Sequence, residues 1–354
     1  MTATTAIGIH GTHLLSTVQV DTYNAELRDA EGFIGDRASN RAFRGILEDW
    51  REQIREIGKD PIGDVASADI SKKALDKLIT AGEPEAAGLL IGTVEEFAQE
   101  FATVIRRFLR LKEWRDTQRI VVGGGLRASR VGELAIGRTS VLLKSAGSDV
   151  ELMPIRHHPD EAGLLGCLHL VPSWIFSGHD GILAVDIGGS NIRVGIVALS
   201  SRKTPDLSKS KVAASELWRH ADDQPDREQA IDRLSQMLLT MIKRAGKEDL
   251  MLAPFIGIGC PGLIQDDGSI TRGGQNLPGN WSSESFNLPQ RVSAAIPTIN
   301  GHEVSVLMHN DAVVQGLSEA PFMTDVEHWG VMTIGTGLGN ARFTNRAVTS
   351  PDQA

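Results

Sequence analysis

Residues 181–199 read Gly-Ile-Leu-Ala-Val-Asp-Ile-Gly-Gly-Ser-Asn-Ile-Arg-Val-Gly-Ile-Val-Ala-Leu. Two apolar, β-branched runs, 181–186 and 193–199, flank Gly188-Gly189, and this texture predicts two strands joined by a glycine turn. Paired glycines let the backbone approach a phosphate and aim N–H groups at it. Asp186 at the strand end suits a hydrated Mg²⁺, which is held by one or two carboxylates together with phosphate oxygens. Ser190 and Asn191 can donate hydrogen bonds, and Arg193 can meet anionic charge. A plain hairpin turn would need none of these four polar residues around its glycines, so the phosphate-binding reading is preferred.

Three further glycine turns follow apolar runs. Gly335-Thr336-Gly337-Leu338-Gly339 follows Val331-Met332-Thr333-Ile334 and offers a second backbone cradle with a hydroxyl beside it. Gly123-Gly124-Gly125 ends the run Ile120-Val121-Val122 and precedes a predicted helix, which suits an adenosine lying over bare backbone or, equally, a structural turn. Gly257-Ile258-Gly259-Cys260-Pro261-Gly262 matches the dinucleotide fingerprint G-x-G-x-x-G. That fingerprint must open a helix; Pro261 and the turn-rich residues after 264 predict none, so a nicotinamide oxidoreductase is rejected. His309-Asn310-Asp311 lies between a predicted strand at 304–308 and a predicted helix at 312–320. A carboxylate placed there can take a proton from a hydroxyl nucleophile, and its charge is favoured near a helix start. Helix capping is the competing role for Asp311; beside two phosphate-type turns, the general base is preferred.

Outward from these motifs, strands alternate with helices, which predicts an α/β fold. Helices are expected over 41–57, in a short segment capped by Ser71, over 85–114, after Val131, from Asp160, and over 226–244. The stripe Val94, Phe97, Phe101, Val104, Ile105, Phe108 and Leu111 is core by its helical spacing. Residues 172–181 read as a connector and the tail from Thr344 as polar and loose. The 354 residues and 41% hydrophobic content suffice for about two domains without disulfide or metal staples. Asp and Glu (45) outnumber Lys and Arg (36), for a net charge of −9, which argues against a general nucleic-acid binder. Cys167 and Cys260 sit in apolar runs as expected buried thiols, and no Cys-x-x-Cys pair marks a zinc site. Residues 1–6 lack the features of a signal peptide, and no apolar run is long enough to span a membrane. A cytoplasmic setting is expected.

Residues 186–193, Pro261-Gly262, Asn310-Asp311 and residues 335–339 occur in the order of one superfamily. They resemble the phosphate-1, connect-1 and phosphate-2 motifs of the sugar kinases related to hexokinase, actin and the heat-shock chaperone ATPases. The resemblance is to the ROK family (repressor, open reading frame, kinase). Residues 257–262 resemble its Gly-x-Gly-x-Pro-Gly segment, and Asn276-Leu277-Pro278-Gly279-Asn280-Trp281 resembles its sugar-contact loop. The remaining family pieces stand at the front of the chain. Residues 119–125 resemble the adenosine motif, 85–114 the long helix before it, and 160–167 the closing helix. Residues 32–39 resemble the segment that carries a sugar-binding Glu, with Gly35 or Asp36 at that place. The motif order is therefore rotated, as in a circular permutation, which is tolerated where old termini lie close together.

The resemblance implies two actin-like, ribonuclease H-like α/β domains facing a cleft. One would hold 1–158 completed by 312–354; the smaller would hold 181–311 completed by a helix at 160–178. It further implies ATP-dependent phosphorylation of a hexose or related sugar, with Asp311 as base. ATP phosphates would bind Gly188, Gly189, Ser190, Asn191, Arg193, Gly335, Thr336, Gly337 and Gly339, and adenosine Gly123, Gly124 and Gly125. Asp186 would hold Mg²⁺, and the sugar would meet Asn276, Pro278, Gly279, Asn310 and Asp36. The family's clustered cysteines and Glu-x-Gly-His segment have no match, His10-Gly11-Thr12-His13 being no clear substitute, so no structural zinc is expected. The partner would be a small-molecule sugar, with neither nucleic acid nor membrane, and a homodimer is compatible. The rival is a non-catalytic sugar- or nucleotide-binding regulator. Family regulators carry an N-terminal helix-turn-helix, whereas residues 1–120 read here as displaced kinase elements.

Overall fold

The computed structural model describes residues 8–200, 204, 206–274, 276–283 and 285–346. The stretch 1–6 and the end of the tail, 347–354, lie outside the described residues. In chain order, strand β1 (Val18–Tyr23) precedes the two-residue strands β2 (Arg28–Asp29) and β3 (Gly32–Phe33). Helices α1 (Asn40–Arg55), α2 (Lys72–Ala81) and α3 (Pro84–Phe108) follow. The next run is β4 (Arg119–Gly123), α4 (Arg130–Ser145), β5 (Glu151–Pro154) and α5 (Pro159–Gly166). A three-stranded run, β6 (Gly181–Ile187), β7 (Ile192–Ala198) and β8 (Lys211–Trp218), leads to α6 (His220–Asp223), α7 (Arg227–Lys247) and β9 (Leu252–Cys260). The chain closes with α8 (Leu288–Ala295), β10 (Thr298–Ile299), β11 (His302–Glu303), β12 (Ser305–Asn310), α9 (Asp311–Leu317), β13 (His328–Ile334) and β14 (Leu338–Asn345).

The helix starts follow from their caps. Ser39, Ser71 and Ser129 accept backbone N–H bonds from Ala42, Ala74 and Gly132 at the starts of α1, α2 and α4, each satisfying a donor the helix cannot. Asp226 and Gln229 form a reciprocal capping box on α7. Helix α3 ends at Phe108 rather than at 114: the chain turns there and folds Trp114 back onto the Phe108 ring, edge-on at 5.2 Å.

Two compact units emerge from the packing. The first takes Met1–Asn24, Asp160–Glu327 and Phe343–Ala354; the second takes Ala25–Pro159 and His328–Arg342. The boundaries differ from those read from the sequence, because α9 and the residues to 327 belong with β6–β12, which makes that unit the larger. The reason is a close helix contact: a Cβ on Gly166 of α5 would collide with the Val314 carbonyl of α9. The helix expected over 160–178 is broken into α5 and 3-10 turns at Cys167–His169 and Ser173–Phe176, with Pro172 unable to continue a helix.

The first unit's sheet has the order β12-β9-β6-β7-β8. Strands β6, β7 and β8 run antiparallel in sequence, while β9 and β12 run parallel to β6. Counted along the chain, the spatial order is third, second, first, fourth, fifth. Every residue of β6 is buried, as expected of a central strand covered on both faces. Ile231, Leu234, Met237 and Leu238 of α7 pack into the same core as Val185, Ile187 and Ile258.

The other five-stranded sheet has the order β1-β14-β13-β4-β5, with β4 parallel to both β13 and β5. Counted in the sequence β13, β14, β1, β4, β5, it repeats the order of the first sheet. Residues 343–345 of β14 fall in the first unit, where Thr344 Oγ1 donates to Asp21 Oδ2 of β1 at 2.8 Å. The tail therefore stays in strand to Asn345 instead of loosening at Thr344, and Gly339 belongs to this strand rather than to the turn before it. The second unit's core gathers Phe97, Phe101, Val104, Ile105 and Phe108 of α3 with Ile120, Val122 and Met332. Both cysteines are free and buried.

Candidate active site

In the first unit, Asp186 of β6, Gly259 of β9 and His309 of β12 stand in one row of the sheet, Asp186 and His309 both being registered against Gly259. The three strands are parallel, so their carboxyl ends open on the same side. Strand β6 has an antiparallel neighbour, β7, on one flank and a parallel one, β9, on the other.

Asp186 is 4% exposed. Burial raises its carboxyl above the ordinary range, and the Arg193 guanidinium, 3.4 Å away, opposes that rise. Arg193 also pairs with Asp160 at the start of α5, so its charge is shared between two carboxylates. A Cβ at Gly163 would lie 2.6 and 2.8 Å from the Asp186 carboxylate oxygens; α5 can approach Asp186 only with glycine there. The turn after β6 is closed by Gly188 N–H donating to the Asn191 carbonyl at 2.8 Å. The Gly188 carbonyl accepts from His220 Nε2 at 3.0 Å, and the Ser190 carbonyl from Ala221 N–H at 3.2 Å.

The loop of residues 276–281 meets this turn: a Cβ on Gly189 would lie 3.1 Å from Asn276 Cβ. Between them a pocket of about 270 Å³ is lined by Gly189, His220, Gln224, Asn276 and Pro278, among others. Trp281 anchors the loop from within. It is 1% exposed, its Nε1 donates to the Pro278 carbonyl at 2.5 Å, and its ring packs on Phe286. Gly279 has φ +73° and lies against the first residue of α7, Arg227, whose Nη1 donates to the Asn280 carbonyl.

The elbow between β12 and α9 is held by side chains. Asn310, not Asp311, is the N-cap: its Oδ1 accepts from Ala312 and Val313 N–H, and its Nδ2 donates to the Gly262 carbonyl at 3.0 Å. Both ends of that amide are thus engaged within the protein. Asp311 is the first residue of α9 and half-buried. Burial, reinforced by the nearby Asp186 carboxylate, pushes its carboxyl up to about 7. A carboxyl balanced near neutrality suits general-base work.

The second unit gathers the remaining candidates. The turn between β13 and β14 comprises Gly335, Thr336 and Gly337, with Gly335 N–H donating to the Gly337 carbonyl at 3.0 Å. A Cβ at Gly337 would meet nothing within 4 Å, and one at Gly335 only the Gly337 carbonyl at 3.8 Å, so the backbone here is open to an approaching group. The Gly335 carbonyl accepts Asn40 N–H at 3.0 Å, which places the segment carrying Asp36 beside the turn. Asp36 itself sits in a 3-10 turn, Ile34–Ala38, 3.8 Å from Arg41. Gly124 has φ +83°, and a Cβ there would fall 2.5 Å from the backbone N and O of Ile334. The glycine is thus required by strand packing, whatever else the triplet does. Lys72 Nζ donates to the Gly125 carbonyl at 2.6 Å.

The first unit thus brings together Asp186, Gly188, Gly189, Ser190, Asn191, Arg193, Asn276, Pro278, Gly279, Asn310 and Asp311, and the second Asp36, the Gly123–125 triplet, Gly335, Thr336, Gly337 and Gly339. His220 was not singled out by sequence; nothing in its flanks marks it, and only the fold brings it to Gly188. Among the described residues, no group of three or more His, Cys, Asp or Glu side chains is placed to hold a metal. One buried carboxylate beside a glycine turn still fits Mg²⁺ that takes its other ligands from phosphate and water. No described helix is long and apolar enough to cross a membrane.

No protein-family model matches the chain. It is 26% identical over 166 residues to a glucokinase from Thermotoga maritima, covering 46% of this chain and 44% of that enzyme. Among solved structures it is similar to a ROK hexokinase from Thermus thermophilus (19% identity, TM-score 0.30, 45% of each chain). A Listeria monocytogenes protein described as a candidate N-acetylmannosamine kinase gives 24% identity, a TM-score of 0.33 and 47% of each chain. The chain thus spans about half the length of the relatives it matches, and superpositions with TM-scores this low decide nothing about substrate.

Proposed function

We propose that this chain, a relative of the ROK-family sugar kinases, transfers the γ-phosphoryl group of ATP to a hydroxyl of a hexose or related sugar. The observation that carries the reading is the elbow of the first unit. Asp311 starts a helix at the carboxyl end of a parallel strand, with a carboxyl raised to about 7, in the same unit as the 188–191 turn and the 276–281 loop. The segment of glucokinase similarity supports it.

In this reading Asp311 takes the proton of the attacking hydroxyl. Asn276 and the Pro278-Gly279 backbone orient the sugar, and Asp36 is a further sugar contact. Asn310, its amide committed to the cap, acts by fixing the elbow. The N–H groups of Gly189, Ser190 and Asn191, and of Thr336, Gly337 and Gly339, receive phosphate oxygens, while those of Gly188 and Gly335 close their turns and hold them in shape; the Gly123–125 triplet underlies the adenosine. Arg193 balances Asp186. Asp186 would hold Mg²⁺ through water, and when bound that ion neutralises charge on the phosphates. The chain's own contribution is mostly positioning.

The same reading takes the motif order as a circular permutation. The second sheet supports it, since its strands follow the first sheet's order only when counted from β13 through β14 to β1.

The test is a coupled ADP-release assay with ATP and Mg²⁺ against hexoses and N-acetylhexosamines. Sugar-dependent ADP release is expected. No turnover with any sugar, while ATP or a sugar still raises the melting temperature, would replace the kinase with a non-catalytic sugar- or nucleotide-binding regulator.

A further inference from the structure

His309 is 1% exposed and belongs to none of the roles above. Its two ring nitrogens are both committed, and in opposite senses. Nδ1 accepts the N–H of Asn310 at 2.7 Å, and Nε2 donates to the Thr12 carbonyl at 3.1 Å. That pair of bonds defines a neutral imidazole with its proton on Nε2. Burial holds the ring neutral, with its pKa lowered to about 4. Tyr23 packs edge-on against it at 5.1 Å and donates its own hydroxyl proton to the Ile264 carbonyl.

The partner of Nε2 is part of a segment laid along β12. Gly11 N–H donates to the Met308 carbonyl at 3.0 Å, and Met308 N–H donates to His10 Nδ1 at 3.2 Å. Gly11, at φ +58°, is wedged so tightly that a Cβ would strike the Ile264 carbonyl. Residues 10–12 are thus fixed on one side by β12 and on the other by residue 264. His309 is the link from this fixed segment to the backbone N–H of Asn310. Asn310 in turn spends its side chain on capping α9 and on Gly262.

We propose that His309 is the positioning residue of the Asn310-Asp311 elbow: its Nδ1 holds the backbone N–H of Asn310, the N-cap of α9, and the Thr12 carbonyl keeps the ring proton on Nε2 so that Nδ1 stays an acceptor. The inference rests on the reading of Asp311 as the base. Asp311 follows the bonded amide directly, so the direction of its carboxylate depends on the backbone turn that His309 holds. Misplacement by about 1 Å can cost on the order of 100-fold in rate.

Two conservative variants separate the two ends of the ring. His309→Asn keeps an acceptor near Nδ1 and loses the reach to Thr12; His309→Gln keeps a donor near Nε2 and loses the acceptor for Asn310 N–H. The expected result is a kcat loss of about 10- to 100-fold in His309→Gln with KM nearly unchanged, and a loss of only about 3-fold in His309→Asn. Equal losses in both variants, following their melting temperatures, would overturn the proposal, as would the reverse ranking. A second readout does not need turnover: the Asp311 carboxyl ¹³C signal is titrated in all three proteins. A midpoint that moves in His309→Gln and stays in His309→Asn supports positioning; midpoints that move in neither overturn it. A wild-type protein without sugar-dependent turnover, whose Asp311 midpoint still moves only in His309→Gln, would sink the kinase reading and leave the positioning role standing.

Discussion

Asp186 and Asp311 close the carboxyl ends of two parallel strands with one strand between them: Asp186 is registered against Gly259, and Asp311 follows directly on Asn310, which is registered against Cys260. Each carboxyl is raised by burial, and the Asp186 charge adds to the rise at Asp311. Arg193 lies against Asp186 and pulls the other way there. The two acids are thus set apart by environment, one balanced by a guanidinium and the other raised to about 7, which suits the two roles proposed for them: charge placement for the first, proton acceptance for the second.

Asp311→Asn removes the proton acceptor and keeps the shape of the first turn of α9. The expected outcome is a loss of about 100-fold or more in kcat, with ATP affinity retained, as checked by steady-state assay and calorimetric titration. Near-normal turnover would dismiss Asp311 as the base.

The same carboxyl sets a pH dependence. Acting as a base requires the ionised form, so kcat should rise through about pH 7 and level above it. The stability consequence has the opposite sense. A folded-state pKa raised from 3.8 to about 7 means that the native state holds this proton more tightly than the unfolded chain. The folded state therefore loses stability as pH rises from about 4 to about 7, and the loss is complete above that. Asp311→Asn should be more stable than the wild type at pH 8, by on the order of 1 kcal/mol, and the gain should vanish near pH 4. Denaturant unfolding at the two pH values measures it; a gain that is the same at both would rule out ionisation as its cause.

How far the sequence carries depends on which physical signal each element leaves. Strands β6 and β7 were legible because their apolar residues are β-branched and continuous, and α3 because its stripe has helical spacing. Strand β8 was not: Lys211–Trp218 buries only Ala214 deeply, and its burial otherwise hovers between exposed and intermediate. Strand β14 was hidden by buried polar residues. Asn340 is 1% exposed, yet its amide both donates to the Ala25 carbonyl and accepts the Ala25 N–H, so polarity there marks a satisfied interior position rather than a loose tail. The site divides the same way. The glycine turns and Asp311 stand in short local motifs, whereas the contacts of His220 with the Gly188 carbonyl and of His309 with the Thr12 carbonyl are reached only through the fold. At Gly124 the sequence left a ligand and a structural turn equally open, because a strand neighbour excludes a side chain as effectively as a ligand would.

That contrast yields a paired prediction. Gly124→Ala forces an alanine into φ +83° and against the Ile334 backbone, which should cost roughly 3 kcal/mol of stability. Gly337→Ala meets open space at a φ that alanine tolerates, so its unfolding midpoint should match the wild type while its apparent KM for ATP rises. Urea unfolding and ATP saturation curves on both proteins check the pair. An unstable Gly337→Ala, or a Gly124→Ala that unfolds normally and fails only in ATP binding, would reverse the assignment of the two glycines.

Trp281 holds the candidate sugar loop by one hydrogen bond from a buried ring. Trp281→Phe keeps most of the apolar contact with Phe286 and removes the bond to the Pro278 carbonyl, a loss of about 1 kcal/mol in local stability. Pro278 and Gly279 should then sample more positions, while Asp311, held by its own elbow through Asn310 and Gly262, should not move. The expected signature is a sugar KM raised several-fold with kcat and the ATP KM close to wild type, read from steady-state kinetics with each substrate varied in turn. A fall in kcat at unchanged sugar KM would mean that the loop acts on the chemical step, and the sugar contact would then have to be sought elsewhere in the first unit.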